Sequence, residues 1–304
     1  MTNGVAEKFK YGTSQLLNFT RDSYLERTSR PIYALLFLLP FIIFYEIGTI
    51  FINTDVLNQS QVRVVAFVWL QNMLEEIGFS DKSAWIAPPV AVIVILLALQ
   101  VSSKKRWYFH AYDIGPMVVE CIMLAVPLLV LSLFLHSSAE IPNGGKYVRA
   151  PVDIRADAMI NCSAQQGRAD DEQQTLPKKK WESLAADAVT GVGAGIYEEL
   201  IFRLVLICFL MMLFQDFLRM NHTRAIIVSV LVSAALFSAH HHITFLHGSF
   251  GQSLPFNWTE FWFRTAAGVY FAGLFAIRGF GITVGTHAFY DVIAVLLNTI
   301  FFRP

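Results

Sequence analysis

The apolar run from Leu184 to Phe214 is broken near its middle by Glu198, Glu199 and Arg203, and no other feature constrains this chain as strongly. Its 31 residues exceed the ~20 that a helix needs to cross a bilayer. Ionisable groups at that depth cost on the order of 3 kcal/mol each on insertion scales, so they face protein or a cavity rather than lipid. At helical spacing, Glu199 and Arg203 lie four residues apart and pair along one face. Glu198 points about 100° away and is left to face something else. Gly191, Gly193 and Gly195, one turn upstream, let neighbouring helices approach the carboxylates closely.

Similar apolar runs recur along the chain, which is 55% hydrophobic and 15% charged. That balance predicts an all-α, polytopic membrane bundle of about seven to eight transmembrane helices, ending in a four-helix core that the polar motifs described below make the expected catalytic unit. The runs are continuously apolar rather than alternating, which excludes a membrane barrel. A net charge of zero with no long basic block excludes a nucleic-acid partner and leaves the lipid bilayer as the surroundings. Cys121 and Cys208 fall inside apolar runs and read as packing residues.

Four regions follow. Residues 1–32 form a polar N-terminal tail, 33–136 the N-terminal membrane helices, 137–180 a hydrophilic loop, and 181–304 the catalytic membrane domain. No cleavable signal peptide is expected, because the first apolar run starts only at Tyr33. The Lys104-Lys105-Arg106 cluster shares a side with the tail, so the amphipathic stretch Val62–Phe79 lies on the membrane rather than crossing it. Glu46, in the first span, reads as a structural hydrogen-bonding post or as part of a site. The expected location is the cytoplasmic (inner) membrane of a bacterial cell, as a multi-pass protein.

Three polar motifs fall on the C-terminal spans: Glu198-Glu199-x-x-x-Arg203, then Phe237-x-x-x-His241 within a run of three histidines, then His287-x-x-x-Asp291. A chain without a site has little reason to bear that desolvation cost three times over. A buried carboxylate beside an imidazole can take a proton from water and make a nucleophile. No Gly-x-Ser-x-Gly competes, and none of the motifs contains a cysteine. Zinc is the minority alternative. It lacks His-Glu-x-x-His, and adjacent histidines on a helix diverge by about 100° and should not face one ion together.

The ordered set of motifs over residues 184–302 resembles the CAAX prenyl protease and bacteriocin-processing family of intramembrane glutamic endopeptidases. The resemblance implies Glu198 as general base, assisted by His241 with His240 as its rival, and an oxyanion site at His287 and residue 291. Glu199 and Arg203 become the supporting ion pair, and no cofactor or metal is required. The implied substrate is a membrane-anchored peptide or protein. Asp291 stands where the prenyl proteases carry asparagine. An ionised aspartate accepts but does not donate, so its expected role is to orient His287. The rival functions are a catalytically silent scaffold or immunity-type membrane protein, and a proton-coupled transporter.

One geometric difficulty accompanies this reading. With simple crossings, His241 ends one span while His287 begins a later one, nominally at the opposite face. The expected remedy is a non-helical connection through Arg278-Gly-Phe-Gly281 that dips into the membrane.

Overall fold

The computed structural model describes residues 19–20, 22–55, 65–78, 86–137, 176–241, 243–246, 249–252 and 258–299. The central residues of the expected hydrophilic loop, 138–175, lie outside that set, as does His242.

Ten α-helices are described: α1 (Tyr24–Thr28), α2 (Pro31–Asp55), α3 (Val65–Glu76), α4 (Ala87–Ser103), α5 (Ile114–Ser137), α6 (Leu176–Glu199), α7 (Leu206–Met211), α8 (His222–His240), α9 (Trp258–Arg278) and α10 (Phe280–Leu297). A small antiparallel hairpin, β1 (Ile243–Leu246) with β2 (Ser249–Gln252), follows α8. Among the described residues, five segments are long and apolar enough to cross a membrane: Pro31–Phe51, Ala111–Leu135, Leu184–Phe217, His222–His240 and Phe280–Leu297. The apolar α4 is shorter, at 17 residues, and α9 is an amphipathic helix of 21 residues. The molecule is a polytopic helical bundle.

Local chemistry explains several boundaries. Pro88 and Pro89 sit in the first turn of α4, where a missing N–H costs nothing, and α4 stops at Lys104 in a left-handed conformation (φ 53°). Asn221 caps α8 by accepting from the Arg224 N–H at 3.0 Å. Between α9 and α10 only Gly279 is non-helical, with φ 80° and ψ 179°, a conformation that suits glycine. The expected irregular connection through Gly281 is therefore replaced by a one-residue corner, with α10 helical from Phe280. The lysines at 178–180, expected to close the hydrophilic loop, instead fall within α6.

The ends of α2, α4, α5, α9 and α10 meet at one face of the bundle, held by buried polar bonds. Arg278 grips Glu120 of α5 with two nitrogens and donates to Thr28 Oγ1, Ser29 Oγ and the Leu25 carbonyl of the N-terminal segment. Arg27 pairs with Asp113 at 2.8 Å, Tyr33 donates to the same carboxylate, and Gln100 of α4 accepts from the Ile32 N–H. The last third of the polar tail is thus part of the fold. Shared ends at this face mean that successive long helices run in opposite directions.

Helix α3 has 12 residues, about 18 Å of rise, too short to span. It buries Ala66, Phe67 and Leu70 against the bundle, with the Phe67 ring edge-on to Tyr197 of α6 at 4.9 Å. Glu46 of α2 accepts from Tyr197 of α6 at 3.1 Å.

The core of the C-terminal unit is the contact of α6 with α10, the most extensive helix pair among those described. One small-x-x-x-small pattern makes it close, and a second closes α10 onto α2. A Cβ on Gly191 would sit 2.7 Å from Cβ of Asp291, and one on Gly195 would sit 2.8 Å from the Ala288 nitrogen. On α10, Gly281 and Gly285 do the same against Ala34 and Phe37 of α2. Backbones that approach this closely gain dispersion contact, which drives helix association where lipid removes the hydrophobic force.

Candidate active site

Glu198 and Glu199 end α6, and the chain continues through a π-helical turn, Leu200–Val205, before α7 resumes the α-helix. Widened turns of this kind recur at functional sites. Here the Phe202 carbonyl accepts from Ser233 Oγ of α8 at 2.7 Å, which ties the turn to the neighbouring helix. Arg203 hangs from the turn, fully buried. Its Nε lies 3.1 Å from Glu199 Oε2, a second nitrogen donates to the Gly268 carbonyl of α9 at 3.4 Å, and its guanidinium covers the Phe237 ring at 4.2 Å. The expected Glu199–Arg203 pair is present.

Glu199 has a second partner. Its Oε1 lies 2.7 Å from Nδ1 of His287, whose ring stacks on Phe271 with centroids 4.5 Å apart and planes 17° from parallel. The other ring nitrogen, Nε2, lies 3.6 Å from Asp291 Oδ2 one turn along α10. His287 is therefore held at both edges by carboxylates and on its face by an aromatic ring. The Gly191 and Gly195 contacts set the height of α10 against α6, so the two helices present His287 to Glu199 in one register.

The neighbouring carboxylate turns the other way. Glu198 Oε1 lies 3.7 Å from Nε2 of His240 and 4.0 Å from Nε2 of His241. Its Oε2 is buried without a hydrogen-bond partner among the described residues. Both histidines thus face the same oxygen, contrary to the expectation that adjacent histidines diverge. The reason is the end of α8. The His241 backbone N–H bonds Ser238 in a tightened last turn, which leaves the Phe237 carbonyl without its usual helical donor. Nδ1 of His240, at 2.6 Å, and Nδ1 of His241, at 2.9 Å, both reach back to that carbonyl. A carbonyl only accepts, so both Nδ1 atoms carry the proton and both Nε2 atoms present a lone pair or a second N–H to Glu198. The fold brings both His240 and His241 to the carboxylate.

All seven residues singled out from the sequence converge. Glu198, His240 and His241 form one group, while Glu199, Arg203, His287 and Asp291 form a second, with Phe237 between them. Its ring centroid is 5.2 Å from His241 and 6.2 Å from His287. The helices bridge the difference in depth with adjacent side chains that reach in opposite directions, so no loop has to enter the membrane. Three aromatic walls had no distinguishing signal in the sequence: Trp69 of α3, edge-on to His240 at 5.7 Å, Phe202 at 4.8 Å from the same ring, and Phe271 beneath His287.

Glu198, His240 and His241 each offer one ligand atom within 4.8 Å of the others, a set able to hold a metal ion. Chemically, the arrangement joins a buried carboxylate and two imidazoles to a second imidazole with its own carboxylates, the parts needed to generate a nucleophile and to receive charge.

Residues 180–293 match the Rce1-like family model, described as type II CAAX prenyl endopeptidase Rce1-like. Across these helices the chain is similar to that family. The matched segment begins in α6, ends in α10 and contains every residue of the cluster. No curated protein and no solved structure gives a match. The matched family is one of prenyl endopeptidases, and the match falls largely on helices apolar enough to cross a membrane.

Proposed function

We propose that the chain is a glutamic intramembrane endopeptidase in which Glu198, aided by His241 and His240, takes a proton from the attacking water. The observation that carries this reading is the different treatment of two adjacent carboxylates. Glu199 is neutralised by Arg203 and bonded to His287, whereas Glu198 meets only imidazole nitrogens too distant for direct hydrogen bonds. Gaps of 3.7 and 4.0 Å suit a bridging water, which would stand beside its base in a largely dry pocket. Water attack on the scissile carbonyl carbon then yields a tetrahedral oxyanion. His287 is the group placed to receive that charge, since an imidazole carrying both protons donates from Nε2. Asp291 orients the ring, while Glu199 and Arg203 fix its other edge. Turnover requires no metal on this reading.

The substrate is a membrane-anchored polypeptide that enters between the helices, with Trp69 and α3 forming one wall beside His240. Asp291 makes the oxyanion side more acidic than an asparagine would, so the lipid group on the substrate is an open variable of the test. Purified protein in nanodiscs is incubated with quenched fluorescent peptides, prenylated, acylated or carried on a transmembrane helix, and products are located by mass spectrometry. Cleavage at a single bond in one anchored class, and not in its unanchored counterpart, is the expected result. Failure to cleave any anchored peptide by protein that is folded and monodisperse removes the proposal.

A further inference from the structure

Outside the reactive cluster, a basic group lies between the end of α4 and the start of α2. Gln100, buried near the end of α4, accepts from the Ile32 N–H and donates to the carbonyls of Lys105, at 3.1 Å, and Arg106, at 3.4 Å. Those bonds hold the Lys104-Lys105-Arg106 turn against the N-terminal segment. Arg30 and Arg106 both approach the Tyr108 ring, at 5.0 and 5.9 Å, and both pair with Asp22, at 3.0 and 3.4 Å. Arg30 pairs with Glu26 as well. Lys105 is half-buried near Glu26 and Arg30, and burial pushes its ammonium below its ordinary value. Three cations thus share two carboxylates, and Nη1 of Arg30 is buried without a hydrogen-bond partner among the described residues. A part-buried positive charge without its counter-ion is costly, and an anion seated there would offset it.

We propose that Arg30, Lys105 and Arg106, gathered around Tyr108, bind the phosphate group of an anionic phospholipid. Guanidinium and ammonium groups give that phosphate charge-assisted donors, and Nη1 of Arg30 is a buried donor with nothing else to serve. A phosphate diester carries one negative charge, which matches the single surplus cation of the group, while Lys104 stays exposed to solvent. The surroundings select a lipid over a soluble phosphate. Trp107 and Tyr112 of the same connection are 55% and 68% exposed, between the apolar α4 and the membrane-length segment that starts at Ala111. Exposed Trp and Tyr at such ends mark the headgroup level of a bilayer, where basic pockets meet anionic lipids. A lipid bound there would staple the segment around residues 22–30 to the α4–α5 connection. Every residue of this site precedes residue 180, where the family match begins, and the proposal does not rest on the peptidase reading.

The test reads lipid binding and needs no cleavage. Full-length wild type, Lys105→Gln, Arg106→Gln and Arg224→Gln are reconstituted in nanodiscs of phosphatidylcholine, with or without phosphatidylglycerol. Arg224 is exposed near the start of α8 and controls for general attraction of basic side chains to an anionic bilayer. Native mass spectrometry counts the lipids each chain retains, and thermal unfolding reads their effect on stability. Wild type should retain one phosphatidylglycerol per chain and unfold at a higher temperature in the mixed discs. Losing one charge-assisted bond should weaken retention roughly 10-fold in Lys105→Gln and in Arg106→Gln, and Arg224→Gln should match wild type. A phosphatidylglycerol with a photoreactive headgroup, which needs no variant to fold, should crosslink wild type within residues 22–30 or 104–108. Crosslinks confined to other segments, or equal retention by all four proteins, would overturn the site. Inorganic phosphate that stabilises the chain in phosphatidylcholine discs as strongly as phosphatidylglycerol does would overturn the lipid as its ligand.

Discussion

Replacing Gly195 by alanine should damage catalysis far more than one methyl group suggests. The new Cβ would lie 2.8 Å from the Ala288 nitrogen, with the Ala288 Cα and Cβ both at 3.1 Å. These atoms belong to backbone, or sit next to it, and cannot rotate away. Ordinary van der Waals contact begins near 3.4 Å, so α10 must retreat from α6 by about 0.6 Å. Overpacking of this kind costs about 1–3 kcal/mol. Ala288 directly follows His287, so the retreat lengthens the 2.7 Å Glu199–His287 contact to beyond 3 Å. Misplacements of about 1 Å at a reacting geometry cost around 100-fold in rate, so a fall of roughly 10- to 100-fold in kcat is expected, with KM little changed. Gly273→Ala is the matched control: a Cβ there meets nothing within 4 Å, and the gain in helix propensity should leave stability equal or up to about 1 kcal/mol higher. Both variants would be assayed for cleavage and for thermal unfolding in nanodiscs. If Gly195→Ala keeps wild-type kcat, or falls no further than Gly273→Ala, the close α6–α10 contact does not position His287.

Three further perturbations probe other parts of the molecule. Arg203→Met strands Glu199 in a buried site and should cost about 3–5 kcal/mol, whereas Arg203→Met combined with Glu199→Gln should lose clearly less, as read by chemical unfolding in detergent. Arg278→Met removes five hydrogen bonds that anchor Glu120, Thr28, Ser29 and Leu25, so limited proteolysis around residues 22–30 should accelerate while the α6–α10 fragment stays protected. Acid should loosen the same N-terminal segment. Burial pushes the Glu26 carboxyl up, but its bonds to Arg30 outweigh that and hold it below its ordinary value, and Tyr108 with Arg30 lowers Asp22. Carboxyls with depressed values stabilise the fold above the ordinary carboxylate range of about 4 and lose that contribution as pH falls through their lowered values. The protection of residues 22–30 against hydrogen exchange, relative to intrinsic rates at each pH, should therefore fall below about pH 4 and hold between pH 5 and 8.

The bundle and the polar residues that converge in it were legible in the sequence because desolvation makes them conspicuous. A carboxylate or imidazole inside a bilayer-length apolar run has few structural excuses, and the i, i+4 spacings of Glu199–Arg203 and His287–Asp291 survive into the fold. The convergence of His240 and His241 was not legible, because it depends on how α8 ends. A 100° step holds inside a helix and fails where a terminal carbonyl draws both rings back to itself. The short connection at Gly279 was misjudged for a related reason: depth was assigned from span ends, whereas Glu198 and Glu199 reach in opposite directions from one turn. Trp69 and the packing of α3 gave no signal because a 12-residue amphipathic helix reads alike whether it lies on lipid or against protein. The polar tail concealed α1, whose order derives from long-range bonds to Asp113, Glu120 and Arg278 rather than from local propensity.

The central claim is that Glu198, and not its neighbour, activates water, and isosteric replacement of each glutamate tests it most directly. Single-turnover cleavage of an anchored peptide would be measured for wild type, Glu198→Gln and Glu199→Gln in the presence of chelator, with folding checked by thermal unfolding. Loss of a general base typically costs about 100- to 10,000-fold, so Glu198→Gln should fall by at least that lower figure while keeping its thermal stability, and wild type should remain active in chelator. Glu199→Gln should lose stability together with part of its rate. A Glu198→Gln protein that still cleaves within a few-fold of wild type would contradict the account.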